Sequence, residues 1–173
     1  MRLVLLPLVA LSVLSAGCVA DRSAGAKRSR AETTLYDASG KVAGRARVSE
    51  TQDGLWLDVT AFGIAPGAHG LHVHAVGRCD APDFASAGPH WNPTAHQHGR
   101  KNPQGSHLGD APNLIADAKG KGRLKSWLSA GSLSALLDGD GAAVVVHADA
   151  DDEITDPSGK SGKRILCGVL AAR

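Results

Sequence analysis

The sequence predicts an all-β sandwich or barrel of about eight short strands, on three observations. Runs of alternating or β-branched character recur at close spacing, turn-forming residues separate them, and glycine is in excess. Glycine accounts for 21 of 173 residues, about 12% against an average near 7%. Without a Gly-X-Y period, such an excess marks turns that need positive φ. The length suits one domain with a substantial core, and no repeat at solenoid or propeller periods is visible.

Taken in order, the chain opens with Met1-Arg2 and an apolar run of 12 residues, Leu3 to Leu14. That run is shorter than the ~20 residues a bilayer span needs, and residues 1–17 read as a secretory signal peptide. Ser15-Ala16-Gly17-Cys18 resembles a bacterial lipoprotein processing site, with Cys18 as the lipidated residue. Ordinary cleavage near Ala20 is the alternative. Residues 18–31 then form a lipidated N-terminus and a polar, basic tether, and residues 32–173 form the domain.

The expected strands are Thr33–Asp37, Lys41–Val48, Gly54–Phe62, Leu71–Val76, Asn113–Asp117, Arg123–Ser129, Ala142–Ala148 and Ile165–Leu170. In the third, Leu55, Leu57, Val59 and Ala61 alternate with outward residues, as a half-buried strand requires. Turns fall at Ala38-Ser39-Gly40-Lys41, Asp53-Gly54, Ala65-Pro66-Gly67, Lys119-Gly120-Lys121-Gly122 and Asp138-Gly139-Asp140-Gly141. Ser132–Leu137 reads as one helical turn. Gly77–Gly109 and Asp149–Lys163 resist any strand assignment, and loops of that length inside a compact domain are usually functional.

Charge and cysteine usage narrow the function classes. A formal net charge of +2, with no cationic stripe interleaved with aromatics, argues against nucleic acid. The three cysteines are Cys18, Cys79 and Cys167. If Cys18 carries lipid, the other two are left to pair in an oxidising compartment, the alternative being two buried free thiols.

Eight histidines need a chemical reason. His72-Val73-His74 lies in an apolar run, where side chains at i and i+2 face the same way and can reach one metal ion. His90, His98, His107 and Asp110 fall within 21 residues of a polar loop, and three imidazoles with a carboxylate make a tetrahedral zinc set. Such a loop buries little, and a metal would supply ordering energy. His147 ends the run Val144-Val145-Val146 at a strand rim. Oxidised copper favours a tetragonal nitrogen set. Seven side chains fill two four-coordinate sites if His90 is shared through both ring nitrogens. His96, among polar neighbours, reads as solvated loop, and Trp91 as packing or part of an interface.

Six ordered blocks carry a family resemblance: Gly70-Leu71-His72-Val73-His74, Ser86-Ala87-Gly88-Pro89-His90-Trp91-Asn92-Pro93, His98-Gly99, His107-Leu108-Gly109-Asp110, Val145-Val146-His147 and Arg164-Ile165-Leu166-Cys167-Gly168-Val169. Together they resemble copper/zinc superoxide dismutase from about Thr33 to Ala172. The resemblance implies an eight-stranded Greek-key β-barrel, a flattened, immunoglobulin-like sandwich with two long functional loops. It implies one copper and one zinc ion per subunit. The copper ligands would be His72, His74, His90 and His147, and the zinc ligands His90, His98, His107 and Asp110. Cys79 and Cys167 match the family's disulfide, Arg164 the arginine at the copper mouth, and Asp151 the aspartate linking a copper-ligand histidine to a zinc-ligand histidine, here His72 and His98. His69 matches a structural histidine.

The implied activity is dismutation of superoxide to dioxygen and hydrogen peroxide by alternating reduction and reoxidation of copper, with zinc holding the bridging His90. Lys160 and Lys163 could add steering of the anion. A metal buffer on the same scaffold would lose a copper position or the arginine, and all are present. Antioxidant defence in the periplasm is the expected role, with membrane contact only through the lipid anchor and a monomer or homodimer as the assembly.

Overall fold

The computed structural model describes residues 29–173; the expected signal peptide, Cys18 and most of the expected tether lie outside the described residues. The described chain forms ten strands: β1 (Arg30–Tyr36), β2 (Val42–Thr51), β3 (Gly54–Phe62), β4 (Gly67–His69), β5 (Leu71–His74), β6 (Leu114–Ala116), β7 (Lys121–Ser129), β8 (Ala143–His147), β9 (Arg164–Val169) and β10 (Ala171–Ala172). Among the described residues, helix is confined to one 3-10 turn, Ala85–Ala87, and one α-turn, α1 (Leu133–Leu136).

All pairings are antiparallel, in the order β4-β6-β7-β3-β2-β1-β9-β8-β5, with β10 beside β1. β4 and β5 sit at the two ends of that order, yet only Gly70 separates them in the chain. The sheet therefore curls into a nearly closed barrel. On the edge of β5 away from β8, Val73 N–H donates to the Gly109 carbonyl at 2.9 Å and Ala111 N–H to the Leu71 carbonyl at 3.2 Å. The link from β3 to β4 passes over β7 and β6, which arrive later in the chain, and this gives the Greek-key path.

Taking β4 and β5 as one strand broken at Gly70, and β10 as a short addition to β1, the eight principal strands are the eight expected. β4 itself was not expected, because Pro66-Gly67 reads locally as a turn and tertiary pairing with β6 overrides that preference. β1 starts at Arg30, so the first strand takes in the last two residues of the segment expected as tether. The reason is packing: Ala31 is fully buried and pairs with Val48 and Ala172.

Period-2 alternation fills the barrel. Leu35, Val48, Leu55, Leu57, Val59 and Leu114 form its centre, and Leu133 and Leu136 of α1 pack onto the same core. Ser132 caps α1 by accepting from Ala135 N–H at 3.2 Å. β5 and β8 are buried on both faces, which explains their near-continuous apolar sequence. Leu71, Val73, Val144 and Val146 face the core, while Val145 belongs to a second cluster with Phe84, Ala87, Ala143 and Cys167. That cluster lies beneath the loop after β5. A disulfide joins Cys79 in this loop to Cys167 on β9, 88 residues apart in sequence, and loop-closure entropy gives it at most about 4–5 kcal/mol.

Barrel closure depends on a residue without a side chain. A Cβ on Gly109 would stand 2.2 Å from the Val73 carbonyl oxygen and 3.1 Å from the Trp91 nitrogen. Both are backbone atoms that cannot yield without opening the seam. Gly109→Ala is expected to cost on the order of 1–3 kcal/mol, read as a lower urea midpoint at unchanged slope. An unchanged midpoint would show that the seam is not strained by that methyl group.

Candidate metal centre

The strand alternation that sends Leu71 and Val73 inward turns His72 and His74 to the outer face of β5. β8 lies alongside in a register that places His72 opposite Val145 and His74 opposite Ala143, and His147 ends β8 nearby. The loop after β5 then folds back over this face. It brings His90 into a bridge with His74, and Asp110 into one with His72. His72 and His90 stack with ring centroids 3.8 Å apart.

Two groups of side chains have donor atoms close enough for one ion each. His72, His74, His90 and His147 form the first; His72, His90, His98 and Asp110 form the second. His107 joins the second group by geometry: its Nδ1 lies 3.3 Å from Asp110 Oδ1 and 3.4 Å from His90 Nδ1. His90 Nδ1 and His98 Nδ1 lie 2.9 and 3.1 Å from the same carboxylate oxygen. Three ring nitrogens thus converge on Asp110 Oδ1. The other oxygen, Oδ2, is fixed by the N–H groups of Gly99 at 2.9 Å and His107 at 3.0 Å. His72 is the weaker fourth member of that group, because its Nε2 is taken by Asp151 Oδ2 at 2.7 Å.

Five buried ring nitrogens make no aligned hydrogen bond among the described residues: His72 Nδ1, His74 Nε2, His90 Nε2, His147 Nε2 and His98 Nδ1, the last close to Asp110 Oδ1 but not directed at it as a hydrogen bond. Buried polar atoms are rarely left so. The opposite nitrogens are held: His74 Nδ1 by the Gly88 carbonyl at 2.8 Å, and His147 Nδ1 by the Gly162 carbonyl at 3.2 Å. Each ring is therefore oriented from behind, and its free lone pair points to a common space. This is the arrangement of metal-ligating histidines, so the donor set fits an ion at each group.

Asp151 joins the two groups. Its Oδ2 meets His72 Nε2 at 2.7 Å, and its Oδ1 meets His98 Nε2 at 3.0 Å. Asn113 holds it in place, accepting from Asp151 N–H and donating to the Asp151 carbonyl, both at 2.8 Å. Sequence reading missed Asn113, which looked like a strand start, and missed Gly159, whose Cβ would overlap Asp151 Oδ1. His69 Nδ1 lies 2.7 Å from the His147 carbonyl oxygen and its Nε2 lies 2.8 Å from that of Ala65, so it braces the ligand-bearing rim. His96 is exposed and belongs to neither group, and Trp91 is buried in the core against Gly131.

A cleft of about 800 Å³ opens onto His74, His90, His147 and Arg164. Arg164 is half-buried and fixed, with Nη1 donating to the Phe84 carbonyl at 2.7 Å and Nη2 to that of Gly88 at 2.8 Å. The Gly88 carbonyl thus serves both Arg164 and His74. Asp138, Asp140 and Asp156 also border the cleft. Lys160 Nζ lies 3.6 Å from Asp152, whereas Lys163 is exposed beside Arg164. A second depression, on the far side of the barrel, contains none of these histidines.

Electrostatics prepares the donors. Burial, aided by the neighbouring imidazoles, lowers His72 to about 3 despite Asp151. Burial likewise lowers His147 to about 4, with His90 and Arg164 reinforcing it. His74 and His90 are lowered by the same cause. All four are neutral at pH 7, as metal binding requires. His98 moves the other way: burial opposes its charge, but Asp110 and Asp151 raise it to about 9. Burial works against both carboxylates, yet their imidazole neighbours hold them well below the usual carboxylate range.

Comparison with known proteins gives a consistent picture. The family model for copper/zinc superoxide dismutase matches residues 42–170. Superoxide dismutase [Cu-Zn] 2 of Aquifex aeolicus is 39% identical, covering 82% of this chain and 86% of its own. Among solved structures, a SOD-like protein from Bacillus subtilis superposes with a TM-score of 0.77 at 41% identity, over 81% of this chain and 97% of its own. The Cu/Zn superoxide dismutase from Brucella abortus does so with a TM-score of 0.68 at 29% identity, over 82% and 99%.

The lowered imidazoles set the acid response of the metal-free protein. Unfolded histidines titrate near 6.5, so as pH falls the unfolded chain takes up protons that folded His72, His74, His90 and His147 refuse. The stability linked to these groups is full above pH 6.5 and is lost as pH falls from there toward 3. His98 opposes this, since its contribution is full below 6.5 and lost as pH rises through about 9. Thermal melts of the metal-free protein should show Tm falling between pH 7 and 4. A flat Tm over that range would contradict the neutral, buried imidazoles.

Proposed function

The chain belongs to the copper/zinc superoxide dismutase family, and from that premise we propose how its residues divide the work and where it is done. The enzyme converts two superoxide anions and two protons to dioxygen and hydrogen peroxide, and it uses copper and zinc. The observation that carries the assignment of residues is the set of unpartnered buried ring nitrogens. His72 Nδ1, His74 Nε2, His90 Nε2 and His147 Nε2 would hold copper, while His90, His98 and His107, each through Nδ1, would hold zinc with Asp110. When bound, copper supplies one-electron exchange and zinc supplies fixed positive charge.

Everything else falls to the protein. Arg164 presents a fixed guanidinium at the mouth, with N–H groups left over after its two carbonyl contacts, suited to receive a small anion. His90 lines the cleft, and its unpartnered Nε2 is the atom best placed to take up a proton and deliver it to the second superoxide. Asp151 fixes the tautomer of His72 and His98, and Asn113 fixes Asp151. Three of the four copper-set histidines line the cleft; His107 alone of the zinc set beyond the shared His90 does so. Substrate access therefore belongs to the copper side.

The compartment is proposed from independent signs. The leader, residues 1–17, and Cys18 support export and lipid anchoring in the periplasm. The Cys79–Cys167 disulfide supports an oxidising location. Cys18→Ser should move the protein from the detergent phase to the aqueous phase of an envelope extract. Retention in the detergent phase would overturn the lipid anchor.

Arg164 separates turnover from metal storage. Arg164→Ala should slow superoxide decay, followed by pulse radiolysis, by about one to two orders of magnitude, as expected for removing one fixed electrostatic donor. Copper and zinc content should be unchanged. Equal rates for the variant and the parent, with both metals present, would remove Arg164 from substrate capture.

A further inference from the structure

The outer face of β1, β2, β3 and β7 has no part in the metal centre, and it is strongly cationic. Two neighbouring rows run straight across the four strands through cross-strand pairs. One row is Glu32, Arg47, Asp58 and Lys125. The next is Thr34, Arg45, Thr60 and Arg123. Lys121 at the start of β7 extends the field, and Arg30 and Arg173 lie at its β1 edge. All seven cations are exposed, and a broad depression of about 680 Å³ lies among them.

The charge is not neutralised in place. Glu32 meets Arg47 at 2.7 Å and Arg30 at 3.1 Å, and Asp58 lies 3.8 Å from Arg123. Arg45, Lys121, Lys125 and Arg173 have no carboxylate at salt-bridge distance among the described residues. The face thus carries seven cations against two carboxylates, while the other described residues carry eight against fourteen. An exposed sheet face ordinarily mixes the two signs. Here one side of the barrel is positive and the remainder negative, so an extended anionic surface would both attract and orient the domain.

Two further observations choose the kind of surface. Trp56 and Trp127 are cross-strand partners at the end of this face, 37% and 41% exposed, and Arg30 lies in the same row through Ser49. Indoles gathered at one edge suit a membrane interface. Nucleic acid would want aromatics interleaved with the cations for base stacking. In the sequence, β1 is preceded by a basic stretch that contains Arg22, Lys27 and Arg28.

We propose that this face docks on an anionic phospholipid surface, with Trp56 and Trp127 at the interface. In the strand order the face is centred on β2 and β3, across the barrel from β5 and β8. Docking so would leave the cleft at His147 and Arg164 open to the compartment. The proposal does not depend on lipidation of Cys18. It adds a protein surface to the anchor as a means of membrane contact.

The test uses the full chain with Cys18→Ser, loaded with copper and zinc, so that no acyl chain contributes. Any contribution of the Leu3–Leu14 run is common to all variants. Sedimentation with vesicles of phosphatidylcholine, alone or mixed with phosphatidylglycerol, should show salt-sensitive binding only to the mixed vesicles. The double variant Arg45→Glu, Lys125→Glu should weaken that binding about tenfold or more, since each surface cation contributes severalfold to partition. Its rate of superoxide decay should match the parent's. Brominated phosphatidylglycerol should quench the tryptophan emission, and Trp56→Phe should reduce the quenching. Equal binding by parent and charge-reversed chains, or equal binding to neutral vesicles, would overturn the proposal. So would tight binding to heparin or DNA without binding to anionic vesicles.

Discussion

Five imidazole nitrogens, buried on the outside of a β-barrel with no aligned hydrogen bond among the described residues, are the constraint on which this structure turns. Leaving such atoms dry costs ~1–3 kcal/mol each in a folded protein. The two loops over β5 and β8 bury few apolar groups apart from Phe84, Ala87 and Trp91. Ions that draw the five nitrogens together convert that cost into the energy that orders the loops. The carboxylates of Asp110 and Asp151 hold the rings in position, and backbone N–H groups hold the carboxylates in turn.

The barrel supplies the rigid side of this arrangement. His72, His74 and His147 stand on strands whose other faces are locked into the core, so these donors have little freedom to drift. The loop supplies His90, His98, His107 and Asp110, and its own anchorage is covalent at Cys79. Between those two sits the Gly88 carbonyl, which accepts from both His74 and Arg164. One loop atom thus registers Arg164 against His74. The disulfide ties the loop whose Phe84 and Gly88 carbonyls grip Arg164 to the strand that carries Arg164.

Much of this was legible in the sequence, and for identifiable reasons. Alternation in Leu55–Ala61 gave β3 directly, because period 2 with one buried face has no helical equivalent. The His-x-His pair was readable because i and i+2 share a face on any strand. The resemblance, built on six ordered blocks, pointed to the disulfide and to Asp151. What escaped was held together by tertiary contacts: β4, hidden by a Pro-Gly pair; Asn113, whose role exists only because β6 starts beside Asp151; and the Gly88 carbonyl, since backbone atoms leave no trace in side-chain identity. The cationic face escaped too. The formal net charge of +2 is a sum over the whole chain and carries no information on where the charges stand, and only the cross-strand register reveals the segregation.

The central claim is that His90 belongs to both metal groups. Calorimetric titration of the metal-free protein with zinc and then copper(II) tests it directly, in the parent chain and in His90→Ala. The account predicts one tight site for each ion in the parent, and a loss of affinity for both ions in the variant, with His96→Ala as a control that removes an exposed imidazole outside the two groups. A variant that loses affinity for one ion and binds the other as the parent does would show two independent sites, and would contradict the shared imidazole.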